Sequence, residues 1–236
     1  MQPLLLLHGA IGAADQLQPL AEALSNHYEV HRFSFSGHGG KEIPKAGLSI
    51  ALFANELRDY IETHGLQGAP VFGYSMGGYV ALYLAKTQPG LISKIITLAT
   101  KFEWNGEIAE RECAMLNPEK IEAKLPAFAH ALAARHAPVD WKEVLGATAV
   151  MLRAMGAENP LKETDYPALD LPVLLLLGDR DKMVGLDETR RAFNALPKGA
   201  LGVLPQTAHP IEQVDVSLLA FLIQGFLKAV FPEKRL

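Results

Sequence analysis

In Gly73-Tyr74-Ser75-Met76-Gly77 a serine stands between two glycines, each two residues away. An apolar run precedes the motif and a helix-forming stretch follows it, so Ser75 falls on a sharp strand-to-helix turn. Such a turn leaves no room for a Cβ at the flanking positions. It lifts the hydroxyl above the sheet and aims the positive end of the helix at it. A serine hydroxyl is a poor nucleophile at neutral pH and needs a base, itself oriented by an acid. Two carboxylates follow the apolar run 173–177, in Gly178-Asp179-Arg180-Asp181. A histidine follows the run 201–204, in Gln206-Thr207-Ala208-His209-Pro210. The chemistry this set supports is covalent attack by Ser75, with His209 as base and either Asp179 or Asp181 as the orienting acid.

Of the eight histidines, only His209 follows these carboxylates on a loop leaving a strand. His27, His64, His130 and His136 belong to helices or their ends and read as solvated. His130 and His136 are six apart, on different helix faces, and H-E-x-x-H is absent, so no metal pair is expected. Gly37-His38-Gly39-Gly40-Lys41 is phosphate-loop-like but carries Glu42 where a magnesium-binding Ser or Thr belongs, and Phe35 in place of the first glycine. Neither nucleotide nor dinucleotide binding follows.

These residues need elements to bring them together. Short apolar runs at 4–7, 30–35, 70–72, 94–98, 173–177 and 201–204 read as strands buried on both faces. Amphipathic patterns lie between them. Residues 15–26 align Leu17, Leu20, Ala21 and Leu24; residues 50–64 align Phe53, Leu57, Tyr60 and Ile61. Residues 76–86 are apolar nearly all round and predict a central buried helix. Val214, Leu218, Phe221, Leu222, Gly225, Phe226 and Val230 predict an amphipathic closing helix. The alternation predicts an α/β fold with a doubly wound, mostly parallel sheet of about six strands. In such a sheet the carboxyl ends of the strands share one edge, where Ser75, an aspartate and His209 converge. Residues 101–165 break the rhythm with helical pattern interrupted by prolines. They read as a small helical cap inserted into a core of 1–100 and 166–236, the plain alternative being ordinary helices with a core of their own.

The chain resembles the α/β-hydrolase superfamily, close to its small serine esterases and enol-lactone or thioester hydrolases. The resemblance rests on His8-Gly9-Ala10 after the first strand, Ser36-Gly37-His38-Gly39 after the second, the Ser75 motif, Gly178-Asp179-Arg180-Asp181 and His209. It implies Asp181 as the triad acid, with Asp179 shaping the loop. It also implies an oxyanion hole from the backbone N–H groups of Ala10 and Met76, with His8 bracing that loop and His38 near the pocket rim. Ser36 departs mildly from the residues usual before that glycine, and no counterpart of the strand pair common at the amino terminus of relatives is expected ahead of the first strand. A serine at the elbow, where dehalogenases and epoxide hydrolases carry Asp and dienelactone hydrolases Cys, implies acyl transfer to water without metal or organic cofactor. Ile11, Trp104, Met115, Met151, Met155, Met183 and Val184 are the apolar candidates for the pocket mouth and suit a small, largely apolar acyl substrate. A thioesterase, lactonase, carbon–carbon hydrolase or cofactor-free perhydrolase would use the same residues. A rival of another class is a non-catalytic member that binds a ligand or a protein.

Composition sets the remaining bounds. The 236 residues are 49% hydrophobic and 20% charged, the profile of a chain that buries a large core. Twenty-two basic against twenty-six acidic residues give a net charge of −4, which argues against nucleic acid and anionic membrane as partners. The lone Cys113 excludes an internal disulfide and a cysteine-based zinc site. No run has the length of a membrane span and no leader pattern precedes His8, so the expected location is the cytoplasm.

Overall fold

Six parallel strands form one sheet in the order β2-β1-β3-β4-β5-β6 in a computed structural model, which describes residues 1–229. The strands are β1 (Gln2–Leu7), β2 (Tyr28–Arg32), β3 (Val71–Tyr74), β4 (Ile95–Leu98), β5 (Val173–Gly178) and β6 (Gly199–Leu204). Each expected run contributes one strand. The second is shorter than its apolar run: it ends at Arg32, and the Phe35 N–H donates to the His8 ring instead of to a neighbouring strand.

The side chains of β1 divide the core. Leu5 and Leu7 face one layer, packed with α2 (Ile50–Thr63), α3 (Met76–Thr87) and α8 (Leu186–Ala195). Leu4 and Leu6 face the other, with α1 (Gln18–Leu24) and α9 (Val216–Lys228). This period-2 alternation, buried on both sides, is why the strands read as continuous apolar runs. Ser49 caps α2 by accepting the Leu52 N–H, and Asp215 caps α9 by accepting from Ser217 and Leu218.

The closing helix is rotated relative to its expected stripe. Leu219, Ala220, Ile223, Phe226 and Leu227 are its buried residues, whereas Phe221 is 71% exposed and Leu218 and Leu222 are half-buried. Val230 lies outside the described residues.

Between β4 and β5 come four helices, α4 (Gly106–Met115), α5 (Pro118–Lys124), α6 (Pro126–His136) and α7 (Trp141–Ala157). Their packing is divided. Cys113, Met151, Leu152 and Met155 join the main core, while Ile121, Ala129, Leu132, Trp141 and Leu145 form a small cluster of their own. No helix among the described residues is long and apolar enough to cross a membrane.

Chain order reverses between β1 and β3: β2 extends the sheet one way, β4 to β6 the other. That switch point opens a crevice at the carboxyl ends of the strands. The loop after β1 carries Gly9 and Ala10; the turn after β3 carries Ser75.

Candidate active site

Ser75 has φ 51° and ψ −116°, a backbone conformation costly for a residue with a Cβ. Its surroundings hold it there. The Ser75 N–H donates to the Leu98 carbonyl at 2.8 Å, and the Thr100 hydroxyl donates to the Ser75 carbonyl at 2.9 Å. The flanking glycines are required by contact. A Cβ on Gly73 would lie 2.3 Å from the Gly78 nitrogen, and one on Gly77 2.6 Å from the Leu7 carbonyl oxygen. Both obstacles are backbone and cannot step aside.

His209 follows β6, and its chain is held from the elbow: the Tyr74 hydroxyl donates to the His209 carbonyl at 3.0 Å. On the ring, Nδ1 meets Asp181 Oδ2 at 2.8 Å. The second oxygen, Oδ1, accepts the N–H groups of Met183 at 2.8 Å and Val184 at 2.9 Å. The Asp181 side chain is fully buried. Burial works to raise its pKa, but the hydrogen bond and charge of His209 and the two backbone donors prevail, holding the carboxyl below the usual range. An ionised Asp181 keeps the neutral imidazole's proton on Nδ1 and leaves Nε2 as the basic nitrogen. Asp179 has a different job. It is exposed, and its Oδ1 accepts the Thr207 N–H at 3.1 Å, tying the loop that leads to His209.

Ser75, His209, Ala10 and Met76 line one cavity of about 80 Å³. No hydrogen bond in this structure joins the Ser75 hydroxyl to His209; such contacts often tighten only when substrate is bound. Met76 opens α3, so its N–H has no acceptor within the helix. Among the described residues neither that N–H nor the one of Ala10 donates to a protein group. Both are available to a ligand oxygen.

The pocket candidates divide between two spaces. Trp104, Met151, Met155 and Val184 line the small cavity, Ile11 and Met115 line an adjoining groove of about 510 Å³, and Met183 lines both. Sequence reasoning missed Ile50, Tyr79 and Leu152 of the small cavity, together with Lys101 and Glu112. Lys101 is buried between Glu112 at 3.6 Å and Glu188 at 3.4 Å and donates to the Met183 carbonyl. Glu188 accepts the N–H groups of Phe102 and Glu103. This knot links β4, α4 and α8 beside the loop that carries Asp181. Its one early signal was the placement of Lys101 just past a strand's carboxyl end.

Three histidines lie beneath the Ala10 loop, and two depart from expectation. His8 donates from Nδ1 to the Gly9 carbonyl at 2.8 Å and accepts the Phe35 N–H at Nε2, bracing the loop as expected. His38 is fully buried and lies on neither cavity wall, because its loop folds inward and its ring packs between His8 and His136. His136 was expected in solvent, yet it is 1% exposed. Its Nδ1 accepts the Gly39 N–H at 3.2 Å and its Nε2 donates to the Ile11 carbonyl at 3.0 Å. Arg135 also donates to that carbonyl, at 3.3 Å. Ile11 has φ 52°, a strained value for a β-branched residue, so α6 clamps the loop immediately after Ala10. Burial, the largest cause in each case, lowers all three histidine pKa values, that of His38 to about 4. Among the described residues no group of three His, Cys, Asp or Glu side chains is placed to hold a metal ion.

Known proteins resemble this chain over nearly its whole length. The 2-(acetamidomethylene)succinate hydrolase of Mesorhizobium japonicum is 22% identical over 245 residues, covering 96% of this chain and 88% of that protein. The crystal structure of the enol-lactonase from Burkholderia xenovorans superposes with a TM-score of 0.78 at 19% identity, covering 97% of this chain and 92% of the other. A malate-bound thermophilic esterase from Thermogutta terrifontis gives 0.76 at 20% identity, with 97% and 90% covered. The sequence model for the alpha/beta hydrolase fold matches residues 2–159. With the six-stranded parallel sheet and the serine elbow at its switch point, this match shows that the chain belongs to the α/β-hydrolase family.

Proposed function

We propose that this protein is a serine hydrolase that cleaves a carboxylic ester or a related acyl bond of a small, largely apolar substrate. The observation that carries the reading is the Asp181–His209 hydrogen bond of 2.8 Å, set on the wall of the cavity that Ser75 enters from a strained turn. His209 Nε2 takes the Ser75 proton as Oγ bonds to the substrate carbonyl carbon. The carbonyl oxygen, now negative, receives the N–H groups of Ala10 and Met76. As the tetrahedral centre collapses, the bond to the leaving group breaks and His209 returns the proton to the departing oxygen. Water then attacks the acyl-enzyme, giving its proton to His209, and Ser75 recovers that proton as the acid departs. Each preset N–H contributes on the order of 3 kcal/mol to the charged intermediate in a dry site.

The helices of 101–165 act in this reading as a cap over the reacting atoms, and the partner is a small acyl substrate rather than nucleic acid or membrane. Two of the solved structures that resemble the chain are named as an enol-lactonase and an esterase, which supports this reading. Thioester, lactone and carbon–carbon cleavage draw on the same residues, and a matched panel of such substrates sorts them. The deciding experiment is Ser75→Ala, which leaves the fold intact and abolishes turnover of a p-nitrophenyl ester. Retention of most of the activity by the folded variant defeats the proposal.

A further inference from the structure

The two spaces that meet at Ser75 differ in size and in lining. The smaller, about 80 Å³, runs past Met76 and Tyr79 toward Met151 and Met155. It is roughly half the volume of an apolar cavity that admits benzene, about 150 Å³. A short chain of two to four carbons fills it. The larger, about 510 Å³, shares Ala10, Ser75 and His209 with the smaller and extends from them past Pro210 and Glu212 and along α5. In acyl transfer the leaving oxygen takes its proton from the catalytic imidazole. His209 borders both spaces, but only the larger continues beyond it, past Pro210 and Glu212, so a bulky leaving group belongs there.

The larger groove has an apolar wall that water reaches. Met115 is 47% exposed, Leu125 56% and Phe128 36%. Its charges are unevenly satisfied. Glu212 is held by Arg135 at 3.3 Å and Gln16 at 2.6 Å, and Glu112 by Lys101 and Arg111. Lys120 and Lys124 also line the groove, both exposed and one helical turn apart on α5. Among the described residues neither joins an ion pair, whereas their neighbour Lys142 is paired with Glu122 at 2.7 Å. In a chain of net charge −4, the unspent charge on this groove is positive.

We infer that the substrate joins a short acyl group, seated in the small cavity, to a large amphipathic leaving group whose apolar body lies along Met115, Leu125 and Phe128 and whose anionic end meets Lys120 and Lys124. The inference rests on the serine-hydrolase reading and adds the substrate's two halves and their orientation. Two solvent-exposed lysines near one anion supply about a twofold to thirtyfold preference at low salt.

The test compares 2-naphthyl acetate, its octanoyl counterpart, and the acetate ester of 6-hydroxy-2-naphthalenesulfonate, each corrected for its hydroxide-catalysed rate. The expected result is a kcat/KM for the sulfonated acetate about tenfold above the neutral acetate. That ratio should fall toward one in Lys120→Gln/Lys124→Gln and at ~1 M salt, where screening acts within about 3 Å. The octanoyl ester should be at least about tenfold slower than the acetate, because the small cavity has no room for the longer chain. Hydrolysis of the neutral acetate with a ratio near one, a ratio unchanged in the double variant, or equal use of the octanoyl ester overturns this inference and leaves the hydrolase reading standing. Failure to turn over any of the three, with no fluorophosphonate adduct on Ser75, overturns the underlying reading and this inference with it.

Discussion

Asp181→Asn changes one atom, and the structure dictates how that change is felt. The Asp181 carboxylate has two separate duties: Oδ1 accepts from two backbone N–H groups, Met183 and Val184, and Oδ2 accepts from His209 Nδ1. An asparagine has one oxygen to give. Turning its NH₂ toward the two N–H donors would leave both without an acceptor, at about 1–3 kcal/mol each. The amide oxygen therefore stays with Met183 and Val184, and the NH₂ faces the imidazole. His209 must then accept at Nδ1 and carry its proton on Nε2, the nitrogen that should take the proton of Ser75. A tautomer reversal of this kind costs about 10⁴ in kcat, or roughly 5 kcal/mol at 1.36 kcal/mol per decade. The assay is steady-state hydrolysis of p-nitrophenyl acetate at pH 7–8, with the fold checked by circular dichroism. Asp179→Asn is the control: it keeps an oxygen for the Thr207 N–H and should stay within about threefold of wild type. A folded Asp181→Asn enzyme within about tenfold of wild type refutes the reasoning, as does a collapse on Asp179→Asn instead.

Three further outcomes follow from the same geometry. Gly73→Ala should destabilise the fold by about 2–4 kcal/mol in urea unfolding, because its Cβ would press on the Gly78 and Gly77 backbone. Gly146→Ala, in α7 with nothing within 4 Å of its Cβ, should be neutral or stabilising by up to ~1 kcal/mol, and equal effects would contradict the contact argument. His136→Phe leaves the Gly39 N–H unpaired and takes one of two donors from the Ile11 carbonyl. We expect about 1–3 kcal/mol of lost stability and a fall in kcat larger than any rise in KM, since the loop that carries Ala10 loosens; an unchanged kcat removes His136 from any positioning role. Acid stability follows the three buried imidazoles. Their folded pKa values lie below the unfolded value near 6.5, so the unfolded chain binds the extra protons. Stability should be complete above about pH 6.5 and fall as pH drops toward the folded values, about 4 for His38, by up to about 1.4 kcal/mol per pH unit for each imidazole. A flat unfolding free energy from pH 7 to 5 contradicts this.

The strands and the elbow were legible because backbone geometry leaves its mark on residue type. Runs buried on both faces are apolar throughout, and Gly73 and Gly77 are glycines because carbonyls and amides lie where a Cβ would be. Residue type could not separate Asp181 from Asp179. Both follow β5, and only the positions of the Met183 and Val184 N–H groups show which carboxylate is oriented toward His209. His136 was misread because a histidine on a helix is usually solvated, and its partners lie 97 and 125 residues away, on Gly39 and Ile11. Phe221 misled in the opposite direction: a large apolar side chain on an amphipathic helix remains in water, and the stripe that packs is the one containing Ile223 and Phe226. No residue pattern marked Lys101 and Glu112 for burial, and they pair with one another inside the cavity wall.

The most direct test of the central claim is the mass of the protein, and of its peptides, after exposure to a fluorophosphonate. A single covalent adduct should form on Ser75, rapidly in the wild type, and be lost or slowed by several orders of magnitude in His209→Ala. No adduct, an adduct on another serine, or labelling of Ser75 at the same rate without His209 would contradict it.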